Sequence, residues 1–220
     1  MGTGGRVRDF GFAADLLGGS SLLGEATAHP DPYRRREQVA TEFLAWVFER
    51  AGIRAIQGSP VFLSIYDSSM RGERNLWCEA ILQMGGDPLL VHRPLAARVS
   101  LGIPDDGPRS HLLAEVSESN IHLAVIRSSS VHVSRRMPRH AHVRIRDFTD
   151  QCLRSLDPDD ELEIRDTGVY LYGWSAARHA GETLRAIDLP LAAPVSLGPT
   201  VLDGVRVIAE EVLPCLVTEN

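Results

Sequence analysis

The chain has 220 residues, 44% hydrophobic and 24% charged, with a formal net charge of -6 and a pI near 5.7. That composition fits a soluble globular chain of one large domain or two small ones. It argues against nucleic acid as the main partner, since phosphate binding needs a basic surface, and no run approaches the roughly 20 apolar residues of a membrane span.

All 23 basic residues are arginine. Schiff-base, pyridoxal-phosphate and Walker-type lysine chemistry are therefore excluded; a GC-rich genome is the plain source of the bias. Cys78, Cys152 and Cys215 are few, odd in number and isolated, which reads as reduced thiols and not as a disulfide framework or zinc site. The first residues, Met1 to Arg6, hold no apolar signal core, so the expected location is the cytoplasm.

In chain order, Val7, Phe10 and Phe12 mark a strand and Gly18 to Ser21 a loop. Asp31 and Pro32 open a helix, with Val39, Phe43 and Val47 on one apolar face and Gly52 at its end. Pro60 to Tyr66 reads as a strand buried on both sides. Leu76, Trp77, Ala80, Ile81 and Met84 form the next helix, stopped at Gly85. Pro88 to Ser110 is punctuated by Pro, Arg and Gly and reads as a linker. Four short strands are predicted at Leu112–Val116, Ile121–Ile126, Val131–Val133 and His142–Ile145, an antiparallel region over 111–146. Phe148, Cys152, Leu153 and Leu156 mark a short helix, and Pro158 to Asp160 a break.

The last stretch is the most organised. Val169 to Tyr172 form a short buried strand. Ser175 is placed to cap a helix carrying Ala177, Ala180, Leu184 and Ile187, and Pro190 lies just past its end. Pro199 suits the first turn of a further helix, with Val201, Val205, Ile208 and Val212 on one face. The helix–strand–helix order recurs at 34–84 and 147–187. The fold class is therefore α/β, read as one domain over 1–220 with halves of roughly 1–100 and 110–220.

Leu189-Pro190 and the Gly198-Pro199-Thr200 turn, with Ala51-Gly52-Ile53 and Gln83-Met84-Gly85 earlier, resemble the thiolase-fold family, in particular its ketoacyl synthase III branch. The resemblance implies a layered thiolase-like core in reduced form. The family's catalytic His and Asn positions fall on Gly173 and Pro199, and no Cys lies between Cys78 and Cys152, where its nucleophile segment would be. The closing residues, Pro214 to Asn220, leave no room for the family's final hairpin. Acyl condensation needs a Cys nucleophile with His and Asn stabilising the oxyanion. The resemblance thus implies a non-catalytic ketosynthase-like accessory or partner protein in bacterial fatty-acid or polyketide-type biosynthesis. Its partners would be a ketosynthase or an acyl carrier protein, in a homodimer or heterodimer.

Asp67, Ser68 and Ser69, with Arg71, stand at the carboxyl end of a strand, where α/β sheets bind ligands; a plain polar loop is the bland alternative. Ser68, His92 and Asp67 could be assembled into a triad, but no G-x-S-x-G elbow supports it. Trp174 and Arg178 lie at the mouth of the family's site. His132, His140 and His142 resemble a metal cluster, with His140 and His142 on one strand face. Arg135, Arg136, Arg139 and Arg144 would repel a cation there, and a solvated Arg-rich hairpin is the better reading. No metal or cofactor is expected. The alternatives to the accessory-protein reading are a small acyl- or carboxylate-handling enzyme with a site at residues 67–74 and His92, and a regulatory or immunity-type binding protein.

Overall fold

A computed structural model describes residues 32–66, 71–104, 109–127, 129–196, 198 and 200–217. Among them it holds seven helices and six strands. By contacts the described chain divides into two compact units: residues 32–65 with 71–91, and Tyr66 with residues 92–217.

The first unit runs α1 (Pro32–Ala51), β1 (Pro60–Ile65), α2 (Arg71–Gln83) and β2 (Asp87–His92), with β1 and β2 paired. Ala40 and Leu44 of α1 pack with Ile56, Ala80 and Ile81, and Phe48, Val61, Leu63, Leu76, Trp77 and Met84 close around them. Phe43 meets Trp77 edge-on, with centroids 6.3 Å apart, in the geometry the ring quadrupoles favour. These helices follow the predicted apolar faces. The strand at 60–65 is half-buried along most of its length, with only Ile65 fully covered, so the expectation of burial on both sides was too strong.

The second unit runs α3 (Arg93–Ser100), β3 (Ser110–Val116), β4 (Asn120–Arg127), β5 (Ser130–Pro138), α4 (His142–Arg154), α5 (Pro158–Thr167), β6 (Val169–Tyr172), α6 (Ala176–Ile187) and α7 (Thr200–Val217). Its sheet has the order β5-β4-β3-β6. β3 pairs antiparallel with β4, Leu112 opposite Val125, and parallel with β6, Leu112 beside Val169. Val169 and Tyr172 also bridge in parallel to Leu191 and Ser196, so the chain after α6 lines the far edge of β6.

Alternation explains which face is covered. Leu112, Ala114 and Val116 of β3 and Ile121, Leu123 and Val125 of β4 point to one side. There they join Ile145, Phe148, Cys152 and Leu153 of α4, Ile164 of α5, and Ala186 and Ile187 of α6 in one core. Leu113, Ala124 and Ile126, on the other side, are also buried.

Three expectations are corrected. Residues 88–110 are not a linker: they hold most of β2 and all of α3, whose Pro94 fits a first helical turn because that N–H has no partner to lose. His142–Ile145 is the first turn of α4, not a strand; Ile145, Phe148, Thr149, Cys152 and Leu153 are buried at helical spacing. Pro158 starts α5 instead of breaking the chain, with Asp159, Asp160 and Glu161 in its first turn, where carboxylates suit the helix dipole. The strand expected at residues 7–12 lies outside the described residues.

Helices α3 and α7 lie against each other at Gly204. A Cβ built there would stand 1.7 Å from the Ala96 carbonyl oxygen. Gly→Ala at an open helix position stabilises by about 1 kcal/mol. Here overpacking costs about 1–3 kcal/mol, so Gly204→Ala should lower the melting temperature. A melting curve of the variant, by circular dichroism, checks the sign.

Candidate functional site

β6 is parallel to β3, so the carboxyl ends of both strands face the same way. The β3–β4 hairpin, Ser117 to Ser119, and the turn from β6 into α6 are thereby brought together, the place where open α/β sheets most often bind ligands. Gly173 makes this closeness possible. Its φ is +113°, and a Cβ would stand 2.6 Å from the Val116 carbonyl oxygen, so a side chain is excluded by both backbone conformation and space. The Ser175 amide donates to that same oxygen at 3.3 Å.

The hairpin is tied internally: the Ser117 hydroxyl donates to the Asn120 carbonyl at 3.0 Å and accepts from the Asn120 amide at 3.1 Å. Glu118 at its tip accepts from Arg178 Nη1 at 2.7 Å and faces His179 Nε2 at 3.2 Å. Arg139 Nε donates to the Glu118 carbonyl oxygen at 3.1 Å. Arg139 also pairs with Glu182, which accepts from His142 at 2.7 Å and lies 3.7 Å from His179 Nδ1. Hydrogen bonds from His179 and then Ser175 hold the Glu118 carboxyl below the usual range, and a bond from His142 does the same for Glu182.

A second cluster centres on Glu115. Arg93 Nε binds the Glu115 carboxylate at 3.0 Å, and its guanidinium stands 4.7 Å from the centre of the Tyr66 ring. Tyr66 meets the buried His122 edge-on at 4.8 Å. Tyr172 is fully buried, and burial first, then the charge of Glu115, pushes its hydroxyl pKa well above 10. It is a core phenol and not an acid at neutral pH.

The residues singled out from sequence are distributed as follows. Trp174 is 66% exposed on the β6–α6 turn, and Arg178 is one helical turn on, bound to Glu118. Ser175 is the N-cap residue of α6 but makes no capping bond with its side chain; its hydroxyl serves Glu118. His92 is half-buried at the N-terminus of α3, on another element. Asp67, Ser68, Ser69 and Pro199 lie outside the described residues, as does the side chain of Arg71. His132, His140 and His142 fall on β5, on the turn after it and on α4; His142 is bound to Glu182, and the described residues hold no group of three metal-binding side chains. The sequence reading missed Glu118, Arg139, His179 and Glu182. Glu118 was legible only as the tip of a four-residue gap between two strands; the others depend on distant pairing.

Among solved structures, the chain is similar to MreB5 of Spiroplasma citri bound to AMPPNP, with a TM-score of 0.67 and 13% identity over 84% of this chain and 78% of that one. The ADP-bound form of MreB5 gives 0.63 at 15% identity, with the same coverage. Ta0583, an archaeal actin homolog, gives 0.53 at 12% identity over 80% and 77%. No protein-family model and no curated protein matches the chain. The protein thus has an actin-like α/β fold.

This overturns the thiolase resemblance, and with it the reading as a ketosynthase-like accessory protein of fatty-acid or polyketide-type biosynthesis. The expectation of a ketosynthase or acyl carrier protein as partner rested on that resemblance alone. The matched residues were helix-end signals that any strand–helix unit shares: Pro190 after a helix, and glycine turns. Gly173 stands where it does because a Cβ would strike Val116, not because a catalytic His was lost.

The phosphates of an adenine nucleotide need unspent N–H groups or cations. Here Arg139, Arg178 and His179 each already face Glu118 or Glu182, and the hairpin tip presents a carboxylate. The phosphate end does not fit this arrangement. Protonating Glu118 and Glu182 weakens their bonds to Arg178, His179, Arg139 and His142. Both carboxyls titrate below their ordinary 4.5 in the folded chain. Their contribution is therefore present above that pH and lost as the pH falls through the folded values. The acid limb of the melting temperature below pH 4.5 should flatten in the double variant E118Q/E182Q; an unchanged limb would refute the network.

Proposed function

We propose that the protein is a cytoskeletal subunit of the actin-like class, related to MreB, that acts by assembling with copies of itself or with a larger actin-like filament protein. The observation that carries this is the likeness to MreB5 over 84% of the chain at a TM-score of 0.67. The compensated charges at the strand ends favour assembly over hydrolysis, because no described cation there is left to stabilise charge developing on a transferred phosphoryl group. Such a subunit would bind and be positioned, not turn over substrate.

The experiment is sedimentation of the full chain, alone and mixed with an actin-like filament protein from its own cell, with negative-stain microscopy of the pellets. Pelleting or co-pelleting above the soluble controls is expected. A chain that stays monomeric in both mixtures by analytical ultracentrifugation would overturn the proposal.

A second reading keeps the adenine nucleotide as a held ligand. It is favoured by the exposed Trp174 at the β6–α6 turn, an indole face on which a base can stack, and by the AMPPNP and ADP in the MreB5 structures. Titration of ADP and AMPPNP against the chain, read by calorimetry, separates the two. The first reading expects no saturable heat up to about 1 mM, equivalent to less than about 4 kcal/mol of binding. Micromolar binding, lost in Trp174→Ala, would establish the second.

A further inference from the structure

His179 lies on α6 beside the tip of the β3–β4 hairpin, with only 15% of its side chain exposed. Its ring stands between two carboxylates. Nε2 is 3.2 Å from Glu118 Oε2 at the hairpin tip, and Nδ1 is 3.7 Å from Glu182 Oε2 on the next turn of the helix. Further charged and titratable groups reach the same two carboxylates from three elements. Arg178 Nη1 donates to Glu118 from α6 itself, Arg139 pairs with Glu182 from the turn after β5, and His142 bonds Glu182 from the start of α4. The Ser175 hydroxyl also serves Glu118.

The two histidines differ in the protons they need. His142 meets one carboxylate through one nitrogen at 2.7 Å, and the neutral Nε2–H tautomer satisfies that bond. His179 meets a carboxylate at each nitrogen. A neutral imidazole carries one N–H, so its other nitrogen presents a lone pair to a carboxylate; only the imidazolium offers a proton to both. Arg178 and Arg139 already balance the two carboxylates in charge, so geometry and not net charge calls for the second proton. The charge of a histidine side chain ordinarily changes between about pH 5 and pH 8.

We propose that His179 is a pH-operated latch: as the imidazolium it ties the hairpin tip, through Glu118, to Glu182 and α6, and as the neutral imidazole it lets the tip go. The imidazolium tie is complete in mild acid and is lost as the pH rises through the histidine range. The carboxylate side has the opposite sign. Glu118 and Glu182 titrate below their ordinary 4.5, so their part is fully present above that pH and lost as the pH falls through the folded values. The hold on the tip is therefore bell-shaped in pH. Once released, the tip keeps Arg178, itself 72% exposed, and the bond from Arg139 to the Glu118 carbonyl oxygen. The mouth at the strand ends thus loosens toward alkaline pH. This regulation belongs to the mouth and does not rest on the assembly reading.

The test is amide hydrogen exchange of the full chain, read by mass spectrometry at about pH 5.5 and about pH 8.5, either side of the histidine midpoint, and corrected for the intrinsic pH dependence of exchange. Residues 117–119 are expected to exchange about threefold more slowly at the acid end, the scale of an exposed ion pair, while β4 shows no such difference. H179Q should abolish the difference and H142Q should keep it. Glu118 is exposed, so E118Q should fold and abolish it too; should H179Q fail to fold, E118Q still decides the matter. Equal exchange of the tip at both pH values, a difference shared by β4, one that survives E118Q, or one that disappears in H142Q would each overturn the proposal.

Discussion

The pairing of β3 on both edges is the constraint on which the second unit depends. An antiparallel neighbour can be reached by a hairpin, and β4 is. A parallel neighbour cannot; the chain must cross from one end of the sheet to the other, usually through a helix. β5, α4 and α5 make that crossing before β6 can lie beside β3. The same pairing brings the carboxyl ends of β3 and β6 together, and so decides where a site can exist.

That arrangement then limits what the site can do. The approach of Gly173 to Val116 leaves no room for a side chain, and it sets the first turn of α6 against the hairpin tip. Arg178 and His179 thus meet Glu118, and Arg139 and His142 meet Glu182. Exposed pairs of this kind contribute little individually; their effect is to spend the local cations. A mouth whose positive groups already face carboxylates is poorly suited to polyphosphate. The fold and the strand-end chemistry are therefore separable properties of this chain.

Much of the secondary structure was legible in short-range pattern. The apolar faces of α1 and α2, the β3–β4 hairpin, and the strand-to-helix order of β6 and α6 all follow from spacing and turn residues. Other elements were misread where two signals competed. The β-branched residues Val143 and Ile145 suggested a strand, but burial at 145, 148, 149, 152 and 153 runs at helical period and won. Pro158 reads as a break in sequence but is a first-turn proline.

The family resemblance failed for a related reason. Helix stops and glycine turns recur wherever a strand feeds a helix, so Leu189-Pro190 and Gly198 could not tell one layered α/β fold from another. Composition and periodicity determined that the chain is α/β and where α1 and α6 begin and end, because these are local preferences of backbone and side chain. Strand order, the parallel placement of β6 on β3, and the meeting of Glu118 with residues 60 and 61 positions away were decided only in three dimensions. Pairing partners distant in sequence leave no periodic trace in either segment.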